Sequence, residues 1–404
     1  MQETNERFCP EYANLYVEKY ANGELLLDFI NEEEFLFFRN RWDYLPQMHL
    51  EHYEPSQILI HNVRDFKVNE REVFVFPMET LFNLRQFSNM SRFDEQFSNI
   101  EMELEYDDNV LSAFRESRKL KRKDVKKFEK LINGTWQQGT PCALENLKGK
   151  IEVCVLDVGQ GSINFIKDNS NLTIFDFGTS IYAKQHDMKK IINSHRRYFD
   201  DAENVSLIIS HWDCDHYNLL TSVEDEFLKE LCCVFVPEKV ISLTAKNVVK
   251  RIEANCQYIR TFSSPVGTAK TIGMQLIVQS PSYELFIGER TVDLNKSGLA
   301  LTVYGENSAM MFTADHTNEQ VWGCMYPAVN NRIIDGLFVV VPHHGGNCGR
   351  IKCSKPLHNA RCAIVSVGKN SYKHPNQKAL DEYESLGFNV VRTDWERKDI
   401  ILHL

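Results

Sequence analysis

The stretch Val205-Ser206-Leu207-Ile208-Ile209-Ser210-His211-Trp212-Asp213-Cys214-Asp215-His216 decides how this chain is read. A β-branched apolar run stops abruptly at a polar turn, as a buried strand does on leaving its sheet. The turn carries His211, Asp213, Asp215 and His216 within six residues. A turn beyond a strand end is not committed to a ladder, so its side chains can converge on one point. Imidazole nitrogen and carboxylate oxygen bind Zn²⁺ at about 2.0–2.2 Å. Adjacent carboxylates repel unless a cation lies between them. A plain polar surface turn is the alternative, and it leaves four such groups packed together without a reason.

Three further strand ends repeat the pattern. Met310–Asp315 is an apolar run closing on an acid, and Val339–Gly346 runs into His343-His344. Ser366–Pro375 leaves a third strand through a loop holding Lys369, Asn370, Lys373 and His374. Each polar group sits just past a strand's carboxyl end, where α/β proteins assemble their sites. Taken singly, each is an ordinary structural residue; together they supply ligands for two metal ions.

The 404 residues suggest two or three domains. Hydrophobic residues make up 43% and charged residues 25%, which excludes a disordered or fibrous chain. No apolar run approaches the roughly 18–20 residues of a membrane span. Met1–Pro10 lacks an apolar segment, so no secretory signal is expected. The net charge of −10 argues against coating nucleic acid without regard to sequence. Eleven cysteines, an odd number in a large chain, read as free thiols of a cytoplasmic protein.

Residues 1–132 read as a separate N-terminal α+β domain, rich in Phe, Tyr, Glu and Arg and without an assignable motif. Within it, Arg115–Lys130 is densely basic. It is either a phosphate-contacting helix or a solvated face. Phe35, Phe37, Phe38, Trp42, Tyr44 and Tyr53 are either that domain's core or an exposed interface. Gly134, Gly139, Pro141 and Gly149 mark residues 133–149 as a linker. From 150 to 404, short apolar runs alternate with helical patterns, which predicts a layered α/β domain with two sheets and outer helices.

Over about residues 150–404 the chain resembles the metallo-β-lactamase superfamily. The branch it looks like is the soluble hydrolase domain of the competence protein ComEC and its free-standing relatives. The matching motifs are Asp157-Val158-Gly159-Gln160-Gly161, Asp176-Phe177-Gly178, His211 to His216, Asn295-Lys296-Ser297, Thr313-Ala314-Asp315, His343-His344-Gly345-Gly346, Ser366 to Pro375, and Arg392-Thr393-Asp394. The departures are Asn218 and Leu219 where the branch has glycines, Ala314 for a glycine, Gly346 for a serine, and Lys373 for a small residue.

The resemblance implies a four-layer αββα sandwich and two divalent metal ions, Zn²⁺ or Mn²⁺. It implies His211, Asp213, Asp215, His216, Asp315 and His343 as ligands, with Asp315 bridging and His343 or His344 completing one site. Asp215, His344 and His374 are the implied catalytic groups. Lys369, Asn370 and Lys373 are the candidate substrate contacts. Asp176 is expected to orient a ligand histidine, and Cys214 to stand by. Three carboxylates shift the metal preference toward Mn²⁺.

The expected activity is metal-dependent hydrolysis of phosphodiesters, most simply of DNA or RNA. A small-molecule phosphodiesterase or esterase is the first alternative. An effector that works only within an assembly, through partners or self-association of the N-terminal part, is the second. No membrane partner is expected.

Overall fold

The computed structural model describes residues 9–20, 24–41, 56–61, 63, 71–84, 88–89, 100–104, 117–137, 142–266, 273–291, 294–353, 355–370 and 373–404. The chain divides into two compact units. One comprises Met1–Lys130 with Val240–Val248; the other comprises Leu131–Lys239 with Val249–Leu404.

The first unit is built on a sheet of seven described strands. Their order is Ser88–Asn89, Ile100–Leu104, Gln57–His61, Glu24–Phe29, Tyr12–Tyr20, Arg71–Pro77 and Arg118–Lys119. Period-two alternation puts Leu15, Leu27, Ile58, Ile60, Phe74 and Phe76 on one buried face. Phe35 and Phe38 of the helix Glu32–Arg41 close that core, with ring centroids 5.4 and 5.3 Å from Phe29. Phe37 packs on Phe82. These three rings are therefore core; Trp42, Tyr44 and Tyr53 lie outside the described residues.

The basic run forms no single helix. Its described part is the strand Arg118–Lys119, the four-residue helix Arg122–Val125 and the strand Lys130–Leu131. Lys119 pairs with Glu72 and Lys127 with Asp124. Its apolar residues Leu120, Val125 and Phe128 are half-buried, and Arg118, Lys119, Lys121, Lys123, Lys126 and Lys127 are exposed.

On the other face of this sheet, Asp28 is 2% exposed. It accepts from Ser56 Oγ at 3.0 Å, Gln57 Nε2 at 2.9 Å and Thr244 N at 3.3 Å. Burial pushes its carboxyl up from 3.8 to about 6, against the pull of those donors. The folded chain thus holds this proton more tightly than the unfolded one. Its stabilising effect is complete below the unfolded value of 3.8 and is lost as pH rises to about 6. Asp28→Asn should flatten this slope. The parent is expected to lose about 2.4 kcal/mol relative to the variant between pH 4 and pH 7. Urea unfolding at the two pH values measures it, and parallel curves for the two proteins would refute it.

The second unit is the αββα sandwich. One seven-stranded sheet runs Ile259–Phe262, Leu231–Pro237, Asn204–Ile208, Asn171–Phe177, Ile163–Lys167, Glu152–Val155, Ile400–His403. The other runs Met274–Gln279, Tyr283–Gly288, Leu299–Tyr304, Ser308–Phe312, Gly336–Val340, Ala360–Val365, Asn389–Arg392. Inward residues of both sheets, among them Val153, Ile166, Phe175, Leu285, Leu301 and Phe312, form one core. Their outward neighbours meet helices. Phe165 and Phe177 pack on Phe199, and Phe177 stacks on Phe227. On the far side Met311, Val339 and Ala363 pack with Trp322, Leu380 and Tyr383.

The described parts of residues 133–149, which are 133–137 and 142–149, are not a linker. Cys142, Leu144 and Leu147 enter the sandwich core, and Ala143 N donates to Ser206 Oγ at 2.9 Å. The second unit opens at Leu131.

The strands Asn171–Phe177 and Asn204–Ile208 are parallel, as are Ser308–Phe312, Gly336–Val340 and Ala360–Val365. Loops at these carboxyl ends carry every candidate ligand.

Candidate metal centre

The centre is built outward from Asp176. Its carboxylate accepts from Ser210 N at 2.7 Å, Ser210 Oγ at 2.9 Å and His216 Nδ1 at 2.8 Å. That bond fixes the His216 ring, so Nε2 turns toward Asp315 Oδ1 at 3.2 Å and Asp215 Oδ1 at 3.9 Å. His211 Nε2 lies 2.9 Å from Asp213 Oδ2 and 3.9 Å from Asp315 Oδ2. His344 donates through Nδ1 to Ser366 O at 2.8 Å. Its Nε2 is thereby aimed at Asp215 Oδ2, 3.4 Å away. Ligand atoms of His211, His216 and Asp315 lie within 4.8 Å of one another, and so do those of Asp215, His216 and His344.

These six residues, with Asp213 among them, are all 0–9% exposed. Nε2 of His211, His216 and His344 has no hydrogen-bond partner among the described residues. Aromatic nitrogens and carboxylates buried face to face are costly unless a cation sits between them. Burial pushes the Asp215 carboxyl up, but the charges of His216 and His344 outweigh it and hold it well below the usual range. Burial likewise opposes a charge on His216, yet Asp315, Asp176 and Asp215 raise its pKa well above 6.5. Proton and metal compete for such a place. The donor set fits a pair of divalent ions. One ring nitrogen serves one ion, and Nδ1 of His216 is already committed to Asp176. His216 therefore offers Nε2 alone, and that atom lies close to both candidate groups. Asp315 reaches both sides, one oxygen to each.

The two neighbouring histidines are placed differently from the expectation. The sequence places His343 among the ligands and His344 among the acids; the structure brings His344 into the ligand group. His343 instead donates through Nδ1 to Asp315 Oδ2 at 2.6 Å, with Asn295 Nδ2 3.4 Å from the same nitrogen. The reason is local. Both residues adopt left-handed backbone, at φ 52° and 53°, and their rings diverge. Asp176 (φ 60°), Ala314 (φ 47°) and Lys373 (φ 61°) share that conformation. Of the non-glycine residues described with positive φ, only Arg397 lies away from these loops. Strain of this kind gathers at functional sites.

The loop after Ala360–Val365 holds His374 beside His343, ring centroids 5.2 Å apart and edge to face. Burial, then the charges of His343 and His344, push His374 down to about 3, so it is neutral at pH 7. Asn370 is not free to meet a substrate. Its amide donates to Gly368 O and His374 O and accepts from His374 N, which shapes the loop. Lys369 and Lys373 are exposed. Ser371 and Tyr372 lie outside the described residues.

Two glycines are needed for close approach. A Cβ on Gly178 would lie 2.1 Å from Asp215 O. A Cβ on Gly346 would lie 2.6 Å from His343 Cδ2 and 2.6 Å from His374 Cε1. Gly346→Ser should displace both rings and lower turnover about 10²-fold, the loss an ångström of misplacement causes. Metal content should be unchanged. A serine variant with full turnover would show that the rings play no part.

One buried histidine has no signal in the sequence. His316 is 0% exposed and is pushed down to about 4 by burial and by His211. It follows Asp315 without any spacing that marks it.

No protein-family model and no curated protein matches the chain. Among solved structures it is similar to the metallo-β-lactamase fold protein YhfI from Bacillus subtilis, at 10% identity and TM-score 0.37, over 63% of this chain and 100% of that one. It is also similar to CmlA, a diiron β-hydroxylase from Streptomyces venezuelae, at 13% identity and TM-score 0.37, over 83% of this chain and 70% of that one. These distant likenesses decide nothing about activity; the fold assignment stands on the chain's own sheet order and layers.

Proposed function

We propose that this chain is a metal-dependent hydrolase of phosphodiester bonds, using two divalent ions, manganese or zinc, on DNA or RNA. The observation that carries the reading is the pair of buried ligand groups joined through Asp315. His211 and Asp213 would hold one ion; Asp215, His216 and His344 would hold the other; Asp315 would touch both. Three carboxylates among the donors favour manganese over the softer choice. When bound, such a pair lowers the pKa of water and neutralises phosphoryl charge.

The chain's own residues supply the rest. Asp176 holds the His216 ring in the tautomer that exposes Nε2. His343, oriented by Asp315, is placed to give a proton from Nε2 to the leaving oxygen when its ring is the imidazolium, protonated on both nitrogens. Neutral His374 beside it offers a hydrogen bond to a phosphoryl oxygen, in place of the acid role. Lys369 and Lys373 face solvent and are the contacts for neighbouring phosphates. No helix among the described residues is long and apolar enough to cross a membrane. A cytoplasmic setting is part of the proposal.

A second reading, a small-molecule phosphodiesterase, is favoured by the state of the basic run. Its lysines belong to the first unit and are partly neutralised by Glu72 and Asp124, so they form no evident track for a polymer. Labelled single- and double-stranded DNA, RNA and bis-p-nitrophenyl phosphate, each with Mn²⁺, Zn²⁺ or Mg²⁺, separate the readings. Polymer cleavage lost in Asp215→Ala/His216→Ala establishes the nuclease. Cleavage of the ester alone transfers the assignment to small phosphodiesters. No turnover of any substrate by metal-loaded protein would overturn both and leave an effector that needs a partner.

A further inference from the structure

Beneath the ligands, on the core side, lies a recess lined by Ser162, Asn164, Thr313, Asp315, His344 and Ser366, with Phe175 and Phe312 as its floor. The space open to the centre of a water molecule is about 10 Å³, enough for one. Asn164 is 1% exposed. Its Nδ2 donates to Ser162 Oγ and to Phe175 O, both at 3.2 Å. Its Oδ1 is buried with no hydrogen-bond partner among the described residues. Reversing the amide does not help, because Oδ1 would then face the carbonyl of Phe175, acceptor against acceptor. A buried acceptor left in this way costs about 1–3 kcal/mol.

The other polar groups around the recess match a single guest. Thr313 Oγ1 donates to Val340 O and Ser366 Oγ to Gly161 O, so their protons are committed. Ser162 Oγ accepts from Asn164, which leaves its own proton to donate. Asp315 and His216 border the same space. A guest here must donate to Asn164 Oδ1 and accept from a hydroxyl, with a second proton left for Asp315. Water does all of this, and about three bonds is what a buried water makes.

We infer that this recess is a binding site for one water molecule that ties Asn164 to Asp315, making Asn164 a positioning residue of the metal centre. The water site stands on the cavity and the amide alone; its effect on metal binding rests on the function proposed above. Crystals of the full chain grown with chelator and with Mn²⁺ test it. One ordered water within hydrogen-bond distance of Asn164 Oδ1 is expected in both. Asn164→Leu should fill the recess, expel the water and weaken Mn²⁺ binding about tenfold in calorimetry, with the circular dichroism unchanged. Should Asn164→Leu fail to fold, Asn164→Ala keeps room for water but removes its anchor, and the same weakening is expected. A recess without density in the parent crystal, or variants that fold and bind Mn²⁺ as the parent does, would overturn the inference. Water present in a parent that binds no Mn²⁺ would support the site and reject the metal reading instead.

Discussion

Asp315→Asn should bring phosphodiester hydrolysis to background and cut the metal content of the chain from two equivalents to one or none. Asp315 serves two sides with two oxygens. Oδ1 is 3.2 Å from His216 Nε2; Oδ2 is 2.6 Å from His343 Nδ1 and 3.9 Å from His211 Nε2. An asparagine offers one acceptor and one donor, so an NH₂ group must face either a ligand imidazole or the His343 donor. It also removes the charge that, more than any other group, raises His216 above its ordinary range. The side chain keeps its volume, so the fold should survive. Elemental analysis and hydrolysis of a chromogenic diester check the result. Two retained equivalents with a rate within about tenfold of the parent would show that Asp315 does not bridge.

The second large effect belongs to Asp176, which touches no ion in this account. Asn accepts the left-handed backbone at φ 60° as readily as Asp, so Asp176→Asn isolates the charge. The carboxylate satisfies three donors, Ser210 N, Ser210 Oγ and His216 Nδ1. The amide oxygen cannot satisfy all three, and its NH₂ must oppose one of them. The His216 ring then loses its fixed tautomer. Metal affinity should fall about 10–100-fold, the range for groups that orient a ligand imidazole. Unfolding free energy should fall by roughly 3–5 kcal/mol, as when one partner of a buried ion pair is removed. Chelator competition and denaturant titration read the two effects separately. Unchanged affinity would mean that Asp176 only supports the strand end.

Much of this centre is legible along the chain because its ligands follow strands. His211, Asp213, Asp215 and His216 crowd one turn, and Asp315 closes an apolar run. The alternation of inward Ile166 with outward Phe165 is likewise visible in the order of residues, whereas Phe175 and Phe177 share a parity and part only because Asp176 between them is left-handed. The roles of His343 and His344 are not legible. They depend on two left-handed residues and on a carbonyl, Ser366 O, supplied by another strand. Asn370 reads as a substrate contact because its bonds to Gly368 and His374 close only once the loop folds back. The stretch 133–149 misleads because its composition does not show that Cys142, Leu144 and Leu147 enter the core. Val240–Val248 joins the first unit without a compositional mark, since it is tied there through a buried carboxylate, that of Asp28. Asn164 sits mid-strand, where only the shape of the recess reveals it.

The most direct test of the central claim is hydrolysis of bis-p-nitrophenyl phosphate by metal-free protein titrated with Mn²⁺. The account expects no turnover without metal and a rate that rises to a plateau at two equivalents per chain. Turnover that persists in chelator, or two bound equivalents without any hydrolysis, would contradict it.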